Sequence, residues 1–274
     1  MAQSRQDLSE GKRLPELSQK IYQKVESSVV RIECDNGNQV GSGVIVGMTD
    51  NERAIILTSC HVVAEAYEPT HLDRSLQFHD DIAVNLASDT TRFLPCKPPH
   101  AYDQVRDLAL ISTLESVPLG KAIRYAFLRH SGPGNLVAAM GFPDSYRLSQ
   151  TIGNIKRIEG GYIVFDAHIS PGSSGGPLVD KFGRMIGLSH STFEEEGYAL
   201  CSDSLVSIVD GWLRDVSPMN KWEYQKFGRF RDRLFRDWRF LAAELLVSGA
   251  IGFAIKENLK EDDLPGPITL PPLP

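Results

Sequence analysis

The sequence predicts an all-β protein of two six-stranded antiparallel barrels, with an N-terminal helix and a C-terminal helical extension. Three observations carry this. Twelve short runs rich in Val, Ile and Thr are broken by Gly, Pro, Asn or Asp, the punctuation of strands and turns. No long helical pattern intervenes between them, which excludes an alternating βα architecture. The runs also fall into two groups of six, split near Pro118–Gly120.

In chain order, Leu14, Leu17, Ile21 and Val25 recur at helical spacing and predict a short amphipathic helix, within an N-terminal helix and arm over 1–27. The first barrel, 28–117, is read from "SVVRIEC", "QVGSGVIVG", "AIILTS", "IAVNLA", "TRFLPC" and "DLALIS". The second, 118–217, is read from "NLVAAMGF", "SQTIGNIKRIEG", "YIVFDAH", "GPLVD", "RMIGLSHS" and "YALCS". It closes with a helix whose face carries Leu205, Ile208, Val209 and Trp212, N-capped by Asp203 or Ser204. In the extension, 218–274, Phe227, Phe230, Leu234, Trp238, Leu241 and Leu245 mark an amphipathic helix over 221–245, followed by a Pro-rich tail. Its basic and aromatic character suggests docking to a membrane surface or a protein through 221–255. The apolar run Leu245–Ile255 is too short to span a bilayer.

Composition narrows the function. A net charge of −6 gives no electrostatic footprint for nucleic acid. Cys34, Cys60, Cys96 and Cys201 are far apart and form no C-x-x-C pair, so neither a metal site nor any cofactor is expected. The polar N-terminus has no signal-peptide core, which predicts a cytoplasmic location with free thiols.

The stretch "SPGSSGGPLVD", Ser170 to Asp180, is the strongest chemical signal. A serine hydroxyl is a poor nucleophile unless a base takes its proton and fixed donors receive the developing oxyanion. Glycines on both sides of Ser174 free the backbone to aim the N–H groups of Gly172 and Ser174 at one point. A base is expected at the end of a strand, where "ILTSCHVV" places His61. A carboxylate heading a buried run, Asp107 in "RDLALIS", is suited to orient that imidazole. His, Asp, Ser is also the chain order of one known type of catalytic triad.

With these residues in place the sequence resembles the trypsin-like serine peptidases of the chymotrypsin fold, and within them the HtrA-type branch. "GSGVIVG", "ILTSCHVV", "DLALIS", "DAHISPGSSGGPLVD" and "GYALCSDSLVSIVD" resemble that branch's blocks in order, over about residues 17 to 214. The resemblance implies two perpendicular barrels with the site in the cleft between them. It implies a serine endopeptidase acting on protein or peptide substrates, with His61 as base, Asp107 as its orienting partner, Ser174 as nucleophile, and Gly172 and Ser174 as oxyanion donors. A catalytically silent binding protein on the same fold is the rival reading, disfavoured by the intact residues. The 57 residues from Pro218 onward are too few for the PDZ domain common in that branch. The resemblance also implies a substrate pocket floored by His168, walled by His190 and including Gly197; the other reading makes one or both histidines packed, hydrogen-bonded core residues. Such a pocket would disfavour Lys and Arg and accept Glu, Gln or Asp; with the histidines turned away, a small or apolar preference is the alternative.

Overall fold

The computed structural model describes residues 3–67, 76–143, 147–193 and 195–216. Helix α1 (Gln3–Val25) comes first and starts earlier than the apolar spacing indicates, because the polar stretch before Leu14 has no periodicity to read. Its last turns bury Ile21 and Val25. Gln150 Nε2 donates to Ser18 Oγ at 2.9 Å, and Lys24 Nζ to the carbonyl of Phe182 at 3.4 Å.

Six strands then close the first barrel: β1 (Val29–Cys34), β2 (Gln39–Met48), β3 (Arg53–Thr58), β4 (Ala83–Leu86), β5 (Asp89–Asp103) and β6 (Leu108–Ser116). Their order is β1-β2-β3-β6-β5-β4. A four-residue helix, α2 (Cys60–Val63), follows β3. The second barrel is β7 (Leu136–Gly141), β8 (Ser149–Glu159), β9 (Tyr162–Phe165), β10 (Pro177–Asp180), β11 (Met185–Phe193) and β12 (Glu196–Cys201), in the order β10-β11-β12-β9-β8-β7. All twelve expected runs become strands. β5 runs longer than its sequence suggests, because Pro98 and Pro99 fall in a register break between Lys97 and Ala101, where no ladder N–H is needed.

The two-residue period of a strand explains why many runs look uniformly apolar. Alternate side chains feed different cores. In β3, Ala54 and Ile56 point into the first barrel, while Ile55 and Leu57 point to a seam between the barrels. β6 divides the same way, with Ala109 and Ile111 inside and Leu108 and Leu110 on the seam. From the other side, Ala138 and Met140 of β7, Val179 of β10 and Leu188 of β11 meet that seam, while Val137, Leu178 and Ile186 fill the second barrel. Each fully buried side chain of this size contributes about 1.5–3 kcal/mol.

Helix α3 (Ser202–Val216) lays Leu205, Val209 and Leu213 on the seam, with Ile208 and Trp212 partly buried beside them. The expected N-cap needs correction. The helix starts at Ser202, which puts Asp203 in its first turn, and Asp203 accepts the N–H of Leu128 at 2.8 Å instead. The four cysteines are free and buried. Burial pushes the Cys96 thiol up to about 12, and burial together with Asp81 and Asp35 does the same to Cys34. Among the described residues no helix is long and apolar enough to cross a membrane. The expected extension over 218–274, its amphipathic helix and its docking segment 221–255 lie outside the described residues.

Candidate active site

His61 is the second residue of α2, immediately past β3. Its place is fixed by backbone as well as side chain. The N–H of Cys60 donates to the carbonyl of Asp107 at 3.2 Å, and the Cys60 thiol donates to the carbonyl of Leu108 at 2.9 Å. Asp107 stands just before β6 with φ of 54°, a left-handed conformation that aspartate tolerates better than most residues but that still costs of order 1–3 kcal/mol. Strain of this kind persists only where the surroundings over-determine it.

Those surroundings are three donors on one carboxylate that is 1% exposed. The N–H of His61 donates to Oδ1 at 2.9 Å, the Nδ1 of His61 lies 2.5 Å from Oδ2, and the Nδ1 of His190 lies 3.0 Å from the same Oδ2. Burial pushes the Asp107 carboxyl up. The hydrogen bonds from His190 and His61, and the charge on His61, outweigh that and hold it below the usual carboxylate range. Asp107 is therefore an anion wherever an imidazole titrates.

Ser174 sits in a loop that only glycine could form. Gly172 and Gly175 have φ of 88° and 82°. A Cβ on Gly175 would lie 2.3 Å from the carbonyl oxygen of Ser42, and one on Gly176 would lie 2.1 Å from that of Met140. Both obstacles are backbone and cannot step aside. Gly176→Ala is expected to destabilise the protein by about 2–4 kcal/mol, read from urea unfolding. Gly211→Ala in α3, where a Cβ meets nothing within 4 Å, is expected to stabilise by about 1 kcal/mol. Equal midpoints for the two variants would refute the crowding argument.

The loop is tied to both barrels. The N–H of Ser42 donates to the carbonyl of Ser174 at 2.9 Å, and the N–H of Gly175 to the carbonyl of Ser189 at 2.9 Å. The Ser42 hydroxyl donates to the carbonyl of Gly172 at 2.7 Å and accepts the N–H of Phe142 at 2.9 Å. Sequence reasoning misses Ser42; its only signal is a small polar residue between two glycines in "VGSGV". Among the described residues, the N–H groups of Gly172 and Ser174 donate to no protein acceptor. The Ser174 hydroxyl donates to the carbonyl of His190 at 3.3 Å, not to His61.

Among the described residues, no hydrogen bond or ring contact joins the three residues expected to line the substrate pocket, His168, His190 and Gly197. His168 is exposed and pairs with the Ser170 hydroxyl at 3.0 Å. His190 turns to Asp107 rather than to a wall facing His168. Gly197 is buried under the Phe165 ring, where a Cβ would come within 2.5 Å of ring carbons, so it serves packing. Asp166 spends Oδ1 on the N–H of Asn154 at 2.6 Å, the strand-capping role. The expected pocket follows sequence offset from Ser174, and offset does not report where a side chain points.

The donor atoms of His61, Asp107 and His190 lie within 4.8 Å of one another, a composition that also suits a divalent cation. Both nitrogens are held at hydrogen-bond distance from a single oxygen, so the cluster is already closed by its own protons.

A family model for the trypsin-like peptidase domain matches residues 41–188, a span that contains His61, Asp107 and Ser174. Over 187 residues the chain is 30% identical to serine protease HTRA1B of Danio rerio, covering 62% of this chain and 35% of that protein. Over 194 residues it is 28% identical to serine protease Do-like HtrB of Bacillus subtilis, covering 64% of this chain and 38% of that protein. The chain thus spans little more than a third of the length of these two relatives. The crystal structure of the serine endoprotease from Yersinia pestis has the same fold, with a TM-score of 0.59 at 23% identity over 73% of this chain and 68% of that one.

Proposed function

We propose that this chain, which belongs to the trypsin-like peptidase family, is a serine endopeptidase cleaving protein or peptide substrates through an acyl-enzyme on Ser174. One observation carries the reading: His61 is held by both its backbone N–H and its Nδ1 on a buried, charged Asp107. That arrangement fixes the tautomer, leaves Nε2 as the base and supports the cation formed when Nε2 takes a proton.

The steps follow from the residues. The Ser174 hydroxyl turns from the His190 carbonyl, a long bond of 3.3 Å that is weak and easily given up, toward His61. His61 removes its proton as Oγ attacks the scissile carbonyl. The Gly172 and Ser174 N–H groups, without protein acceptors of their own among the described residues, receive the oxyanion. His61 then hands the proton to the leaving amine, and water repeats the sequence to release the acid. The four free, buried cysteines support a reducing compartment, and a cytoplasmic location is our reading.

The test is labelling with a fluorophosphonate, followed by mass spectrometry of the adduct. Modification confined to Ser174 and lost in His61→Ala is the expected result. A folded protein that takes no label would leave the silent binding protein as the better reading.

A further inference from the structure

We infer that His190 is a positioning residue of the site, sharing one oxygen of Asp107 with His61, so that two imidazoles compete for a single carboxylate. The inference rests on the peptidase reading above and extends it.

Three observations converge. The Nδ1 of His190 lies 3.0 Å from the same Oδ2 that the Nδ1 of His61 approaches at 2.5 Å. The pairing of β11 with β12 shifts register between Ser189 and Ser191, so His190 is the extra residue of a bulge. Bulges re-aim side chains, and this one sends an imidazole out of the sheet toward the opposite barrel. Finally, the ring lies beside that of Tyr162 of β9, with ring centroids 6.2 Å apart, while the centroids of His61 and His190 are 6.3 Å apart.

The electrostatics follow. Asp107 and His61 face His190 from the first barrel and Tyr162 from the second. Tyr67, Cys60, Asp103 and Arg106 surround the same cluster. Burial pushes Tyr67, Tyr162 and Cys60 up, so they stay neutral where imidazoles titrate. The competition is therefore between His61 and His190 over Asp107. A hydrogen bond or a proton on His190 draws carboxylate charge away from His61, which makes the His61 cation less favourable. His190 thus holds Asp107 in place and shares its carboxylate charge with His61.

Removing His190 should do two separable things. In His190→Ala, kcat at the alkaline plateau should fall about tenfold with KM little changed, because a charged hydrogen bond that orients Asp107 is gone. The acid limb of kcat/KM should move to higher pH by about half a unit, because His61 no longer shares the carboxylate. His190→Gln, which can still donate to Asp107, should recover most of the lost kcat. A merely structural role would move neither the limb nor the Gln rescue.

The experiment compares the three proteins on one peptide substrate from pH 5 to 9, with thermal unfolding as the control for folding. A second arm follows the His61 ring by NMR titration in Ser174→Ala and in Ser174→Ala/His190→Ala, and needs no activity. An His61 midpoint that stays put in the double variant overturns the inference, as does a His190→Ala enzyme with parental kcat and acid limb. If the parent itself neither cleaves nor labels, the peptidase reading falls, and the NMR arm still decides whether the two imidazoles are coupled.

Discussion

Ser174→Ala is expected to fold like the parent and, if Ser174 is the nucleophile proposed above, to turn peptides over about 10⁶-fold more slowly. The size follows from the chemistry, since without Oγ there is no acyl-enzyme and only binding and the oxyanion donors remain to accelerate hydrolysis. Retention of the fold follows from the structure. The Ser174 hydroxyl makes one bond of 3.3 Å, while the loop is held by backbone bonds from Ser42 and Gly175 that the substitution leaves intact. Initial rates at saturating peptide, with urea unfolding alongside, make the check. Turnover within tenfold of the parent would move suspicion to Ser173. That neighbour is buried, with 7% exposure, and its N–H is committed to the carbonyl of Ser170 at 3.0 Å.

Asp107→Asn is the second large effect, a loss of about 10⁴ in kcat/KM with the fold kept. The carboxylate oxygen Oδ1 accepts the His61 N–H, and Oδ2 faces the Nδ1 atoms of His61 and His190. An asparagine that keeps its oxygen on the backbone N–H must turn its NH₂ toward both imidazoles. Each ring then has to present a bare Nδ1, which puts the proton of neutral His61 on Nε2, where the base should be. The sign with pH follows from the depressed carboxyl. In the parent, Asp107 stays ionised down to the acid range, so an acid limb near neutrality would not belong to this group. Measured kcat/KM for the variant within tenfold of the parent at pH 8 would contradict this account of the site.

The strands and the three residues of the proposed triad are legible in the sequence for a common reason. Each depends on local pattern: β-branched runs between turn residues, an aspartate heading a buried run, a serine among glycines that only a tight backbone explains. What escapes depends on direction. The role of His190 comes from a bulge, and a bulge shows only once β11 is laid against β12. The family resemblance puts His168 and Gly197 in a pocket. The chain leaves His168 exposed and lays Phe165 over Gly197. Ser42 escapes because its value lies in contacts with residues far along the chain, Gly172 and Phe142.

The seam between the barrels has a consequence for control. His61 and Asp107 ride on the first barrel and Ser174 on the second, so their spacing is a property of how the two bodies meet. A displacement of about an ångström between reacting groups costs about 10²-fold in rate. The seam is closed by side chains from α1 and α3 as well as from the strands, and both helices also carry exposed residues, Lys20 on α1 and Ser207 on α3 among them. If Ser174 acts with His61 as proposed, a molecule that shifts either helix is expected to change the rate by altering the clearance between the two bodies, without entering the site itself.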